Sequence, residues 1–105
     1  MARPAYSSQI VAEHALFGAV TFTVPGGALL VVRDVDVWIA APILSSVEFR
    51  MLGSEGQTID WAVCDADTTI LHQWRGRQVL EAGQTLTLTA SDHADVSVSG
   101  YLLTA

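Results

Sequence analysis

The sequence predicts a single all-β domain over residues 1–105, a β-sandwich or jelly roll of about seven to eight antiparallel strands. Three observations predict it. Apolar residues recur at every second position through most of the chain, the spacing of strands with one buried face. Clusters of Gly, Pro, Asp and Ser interrupt this alternation at short intervals, as strand connections do. Finally, 50% of the residues are apolar, enough for one core, while 105 residues leave no room for a second domain.

Val20, Phe22 and Val24 alternate with Thr21 and Thr23, and Pro25-Gly26-Gly27 then supplies a reversal in which a glycine can take positive φ. Ala28 to Val32 is continuously apolar. After it Val35, Val37 and Ile39 alternate with Asp34, Asp36 and Trp38, which predicts a long strand bent near Arg33 and closed by Pro42. Val47, Phe49 and Met51 oppose Glu48 and Arg50 up to the turn Gly53-Ser54-Glu55-Gly56. Ile59, Trp61 and Val63 alternate with Asp60, Ala62 and Cys64. Asp65-Ala66-Asp67 turns the chain into Thr68 to Trp74, a strand that Arg75-Gly76-Arg77 is expected to break.

Glu81-Ala82-Gly83-Gln84 forms a tight turn into Thr85 to Thr89, with Leu86 and Leu88 on one face and the threonines on the other. Ser91 to Asp95 reads as a polar loop. The last strand sets Val96, Val98, Gly100 and Leu102 against Ser97, Ser99, Tyr101 and Leu103. Ser8 to Leu16 fits two patterns: Ile10, His14 and Phe17 have helical spacing, and a strand accounts for the segment comparably.

Composition excludes several function classes. Eleven acids against five arginines give a formal charge of −6, which repels a phosphate backbone, so no nucleic-acid partner is expected. No run approaches the roughly 20 apolar residues of a membrane span. The first 16 residues lack the basic start and apolar stretch of a secretory signal, so neither a membrane partner nor export is expected. Lys and Asn are absent while Arg and Ala are plentiful, the bias of a GC-rich coding genome. Every non-histidine side-chain cation is therefore a guanidinium, suited to bidentate pairing with carboxylates.

Motifs for chemistry are scarce, and no catalytic, cofactor-binding or metal-ligating residues are assigned. His14, His72 and His93 stand far apart, and none has a ligand partner at i+2 or i+4; the His-x-His of a metal-binding jelly roll is missing. Two histidines converging with Glu13 or Glu48 would be needed to supply such a site. Cys64 is the only cysteine and reads as a small core residue, with no nucleophile motif around it. The Asp34/Asp36 and Asp65/Asp67 pairs lack the spacing and terminal Glu of a calcium loop. Gly26-Gly27 and Arg75-Gly76-Arg77 do not sit between a strand and a helix, so they read as turns rather than phosphate cradles.

What remains are residue types enriched where interfaces carry their energy: Trp38, Trp74, Arg75, Arg77 and Tyr101. Trp38 shares a strand face with Asp34 and Asp36. If exposed beside acids on a concave surface, Trp38 or Trp74 would suit a glycan.

Three segments carry a family resemblance: Val31-Val32-Arg33-Asp34-Val35-Asp36-Val37, Trp74-Arg75-Gly76-Arg77-Gln78-Val79-Leu80, and Val96-Ser97-Val98-Ser99-Gly100-Tyr101-Leu102-Leu103, with a start of Ala5-Tyr6-Ser7-Ser8. They resemble small β-rich virion proteins of phages infecting GC-rich actinobacteria, often encoded among tail genes. The resemblance implies a non-enzymatic minor tail or tail-tip component, or else a capsid decoration protein, made in the bacterial cytoplasm and built into the virion. It implies other virion proteins as partners and a homo-oligomer, with a trimer favoured, and it carries no catalytic residues with it. A host-surface glycan stands as the alternative partner.

Overall fold

The computed structural model describes residues 8–104, with side chains from 10 to 103. The described chain forms six strands: β1 (Ser8–Thr23), β2 (Ala28–Ala40), β3 (Val47–Leu52), β4 (Thr58–Cys64), β5 (Thr69–Glu81) and β6 (Thr85–Thr104). All pairings are antiparallel. The order is β4-β3-β6-β2-β5, with β1 on β6 as well.

β6 organises the fold because its 20 residues serve two partners along one edge. Thr87–Ala90 pair with β3, whereas Asp95–Thr104 pair with β2, and β1 follows the other edge from Thr85 to Gly100. Between the two partners the sheet folds over on itself, so that β1-β6-β2-β5 forms one wall and β1-β6-β3-β4 the other. β1 turns this corner through register shifts on both sides of Leu16, the way strands change sheets in orthogonal packings. Ala15 sits there at φ 54° and Gly18 at φ 97°. The Ala15 N–H donates to Asp95 Oδ1 at 2.8 Å, which also pairs with His14 Nδ1 at 2.9 Å. Asp95 thus holds the left-handed residue in place.

These continuities correct the expected strand count, which is six rather than seven or eight. Ser8–Leu16 is strand, not helix, and runs on into the next segment because β6 pairs with β1 on both sides of the corner. Ser91–Asp95 is not a loop but the bent middle of β6. Arg75-Gly76-Arg77 does not break β5; the register slips there, opposite Arg33, and the strand continues. The four turns fall where expected, with Gly27, Gly56, Gly83 and Asp67 at positive φ.

The core lies between the two walls. One contributes Leu30, Val32, Val35, Val37, Ile39, Val96 and Val98, and the other Val47, Phe49, Met51, Cys64, Leu86 and Leu88, all buried. Val32 and Val35, three residues apart, both reach the core because β2 slips against both neighbours between Val32 and Asp34. β4 faces the opposite way to the one its larger apolar residues suggest. Ala62 and Cys64 point inward, and Trp61 and Val63 outward. The core has room only for small side chains there, because Ala62 pairs with Phe49.

At the seam where β4 approaches β5, His72 Nε2 lies 2.9 Å from Asp60 Oδ2 and 3.0 Å from Oδ1. This contact joins the two outermost strands of the order and nearly closes the sheet into a barrel. His72 therefore occupies the inner side of the seam. Asp60→Ala leaves the imidazole without its acceptor in a half-buried position, and a loss of about 1–2 kcal/mol is expected in chemical denaturation. Asp60→Asn, which keeps an acceptor, is expected to lose less.

Candidate functional site

The outer surface of the β1-β6-β2-β5 wall collects most of the interface-type residues. Strand register decides which ones. Trp38 pairs with Leu71 and Asp95, Asp36 with Gln73 and Ser97, Asp34 with Arg75 and Ser99, and Val31 with Val79 and Tyr101. These rows stack along one face, and Arg77 and Arg33 join it at the slip. Trp38, Arg75, Arg77 and Tyr101 thus share one face, spread along its length. Trp74 does not: it pairs with Val35, points inward and packs half-buried against the core. Gly76 leaves space for its ring, since a Cβ there would meet Trp74 Cζ2 at 2.8 Å.

The face has three zones. In the middle, Arg75 bridges Asp34 Oδ1 at 3.4 Å and Asp36 Oδ1 at 2.8 Å, and Gln73 adds a bond to the same Asp36 oxygen at 3.2 Å. Asp34 and Asp36 are thus answered by a guanidinium rather than poised as calcium ligands.

At one end Trp38, 50% exposed, and Leu71, 55% exposed, floor an open groove of about 420 Å³. Asp36, Asp95, His14 and Ser97 line it. The described bonds of both aspartates engage Oδ1.

At the other end Val31 lies buried on the outer surface, apart from the core, with Val79, Leu103 and Tyr101 as its outward-facing neighbours. Hydrogen bonding by Arg77, and after it by Arg33, holds the Tyr101 phenol below its usual ionisation range. Among the described residues, neither arginine forms an ion pair with a carboxylate.

The opposite wall carries a smaller outward cluster. Arg50 bonds Glu48 at 2.7 Å and its guanidinium lies 5.9 Å from the centre of the Trp61 ring. Hydrogen bonds from Arg50, and then from the Trp61 indole, hold the exposed Glu48 carboxyl below its ordinary value of 4.5. A carboxyl lowered on folding contributes stability above its unfolded pKa and loses it as pH falls through the folded one. An NMR titration of Glu48 is therefore expected to show a midpoint below 4.5. In Arg50→Ala that midpoint is expected to rise.

Little else offers chemistry. Each histidine sits beside a different acid: His14 by Asp95, His72 by Asp60, His93 by Asp92 at 3.2 Å. Among the described residues no three His, Cys, Asp or Glu side chains gather as a metal-ligand set, and no two histidines converge with Glu13 or Glu48. Cys64 is fully buried, and its thiol donates to the Thr68 carbonyl at 3.2 Å. A cleft of about 300 Å³ between the arms of β1 is lined mainly by Ile10, Val11, Val20, Phe22, Leu86 and Leu88, an apolar setting with one carboxylate, Glu13. No described helix is long and apolar enough to cross a membrane. Residues 5–7 of the resemblance lie outside the described residues.

Sequence reasoning missed Leu71, Asp95 and Arg33 as members of the face. The signal for them was the strand register, which only pairing supplies. No known protein-family model matches this chain, and no curated protein matches it as a relative.

Proposed function

We propose that this chain is a non-enzymatic structural component of a bacteriophage particle, a minor tail or tail-tip protein that assembles through protein–protein contacts. The observation that carries the reading is the outer face of β1-β6-β2-β5. Exposed Trp38, Leu71, Val79 and Leu103 share it with Arg33, Arg75, Arg77 and Tyr101, on strands whose other sides form a packed core. Exposed apolar residues at both ends of one face, with aromatic and arginine anchors, are the composition of a docking surface. The same surface serves a capsid decoration protein, and copy number separates the two placements. Quantitative mass spectrometry of gradient-purified particles is the test. A fixed, low copy number supports the tail position and a number matching the capsid lattice supports decoration; absence from particles overturns both.

A glycan-binding attachment role is favoured by one specific feature, Trp38 exposed in an open groove beside Asp36 and Asp95. Host wall polysaccharide titrated against Trp fluorescence tests it, with loss of the response expected in Trp38→Ala.

A further inference from the structure

The two ends of the outer face are complementary to each other. One end exposes an indole and a leucine among the carboxylates of Asp36 and Asp95. The other presents two guanidinium groups, Arg33 and Arg77, around Tyr101 and Val79, and the nearest acid on that side, Glu81, lies beyond them in the row of Leu29. A carboxylate-flanked tryptophan is a receptor for a guanidinium, which can stack on the ring and bond the carboxylate oxygens together. In the middle of the face one guanidinium, Arg75, spans Asp34 and Asp36, so the trio keeps one negative charge. Each molecule thus carries a receptor and the group that fits it, on one surface and about 16–20 Å apart, five residues from Arg33 to Trp38 along β2 and six from Leu71 to Arg77 along β5.

A side chain cannot span that distance within one molecule. A second copy turned by a two-fold axis through the Asp34–Arg75–Asp36 zone can, because the rotation lays each basic end over the other copy's acidic end. The parallel arrangement would oppose like charges. We propose that the chain forms an isologous dimer through this face, with Arg33 and Arg77 of each copy seated in the Trp38 groove of the other. Such a contact satisfies both grooves and closes at two copies, which replaces the expected trimer with a pair as the assembly unit. The 13 residues each of β2 and β5, with ten of β6 and six of β1, at about 4.8 Å strand spacing offer roughly 650 Å² per partner, at the lower end of a stable interface. The inference rests on reading this chain as an assembly protein, and it names the first partner of that assembly.

Sedimentation equilibrium of the full chain tests it. Wild type is expected at twice 11.2 kDa. Arg77→Glu and Asp36→Arg alone are each expected to weaken self-association at least tenfold, because each opposes like charges across both contacts. Mixing the two variants is expected to restore a dimer, since the heterodimer regains opposite charges at both. Trp38→Ala, at an exposed position that leaves the fold intact by circular dichroism, is expected to dissociate the pair as well. A wild-type monomer at high concentration, or a dimer indifferent to Arg77→Glu and Trp38→Ala, overturns the proposal. So does a monomer whose Trp38 fluorescence answers a wall polysaccharide, which gives the groove to a sugar. A monomeric chain that is nonetheless built into particles sinks the pair and leaves the virion reading standing; a dimer absent from particles does the reverse.

Discussion

Gly100→Ala is expected to destabilise the domain by about 3 kcal/mol or more, at the upper end of what overpacking costs. Gly100 lies in β6 opposite Val32, where β2 slips past Arg33 and its backbone comes unusually close. A Cβ built at Gly100 overlaps the Val31 carbonyl oxygen and crowds the Val32 Cα. Both are backbone atoms of a central strand hydrogen-bonded on its two sides, so no rotamer change relieves the clash. For a domain of this size that corresponds to a fall of at least about 12 °C in Tm. Thermal unfolding by circular dichroism measures it. Gly26→Ala, where an added Cβ meets nothing within 4 Å, is the control and is expected to change Tm little.

Phe49→Ala is expected to cost about 3–5 kcal/mol. Phe49 heads the fully buried side chains by volume, and its register neighbours on both flanking strands, Ala62 and Ala90, are small. The ring fills the space those alanines leave. Once it is gone they cannot extend into the cavity, so little of the loss is recovered by relaxation. Urea denaturation with an unchanged m-value is the expected signature of lost stability without a changed unfolded state. Phe49→Leu, which keeps most of the volume, is expected to lose clearly less.

The strands and turns were legible because alternation and turn chemistry are local. Val47-Phe49-Met51 and Leu86-Leu88 point inward as their spacing indicates, and glycines mark three of the turns. The corner was not legible. Ser91–Asp95 is polar enough to read as a loop, yet it stays extended at the corner, with Ala94 on Leu16 and Asp95 on Trp38, a non-local fact. β4 shows the limit of period two when both faces carry apolar residues: alternation separates Trp61 from Ala62 but not inside from outside, and the space beside Phe49 decides. Trp74 and Trp38 look equivalent in sequence. Register alone sets Trp74 against core-facing Val35 and Trp38 against exposed Leu71. Thus the candidate residues were readable as types, whereas their gathering on one face, with Trp74 excluded, depended on pairings between distant segments.

Hydroxyl-radical footprinting tests most directly whether this chain works by assembling through the outer face of β1-β6-β2-β5. Side-chain oxidation would be compared between purified particles and the dilute free chain. Trp38, Leu71 and Tyr101 are expected to lose reactivity in the particle, while Trp61, on the opposite wall and 54% exposed, keeps its own. Equal oxidation of Trp38 in both states, or protection of Trp61 in its place, would contradict the account.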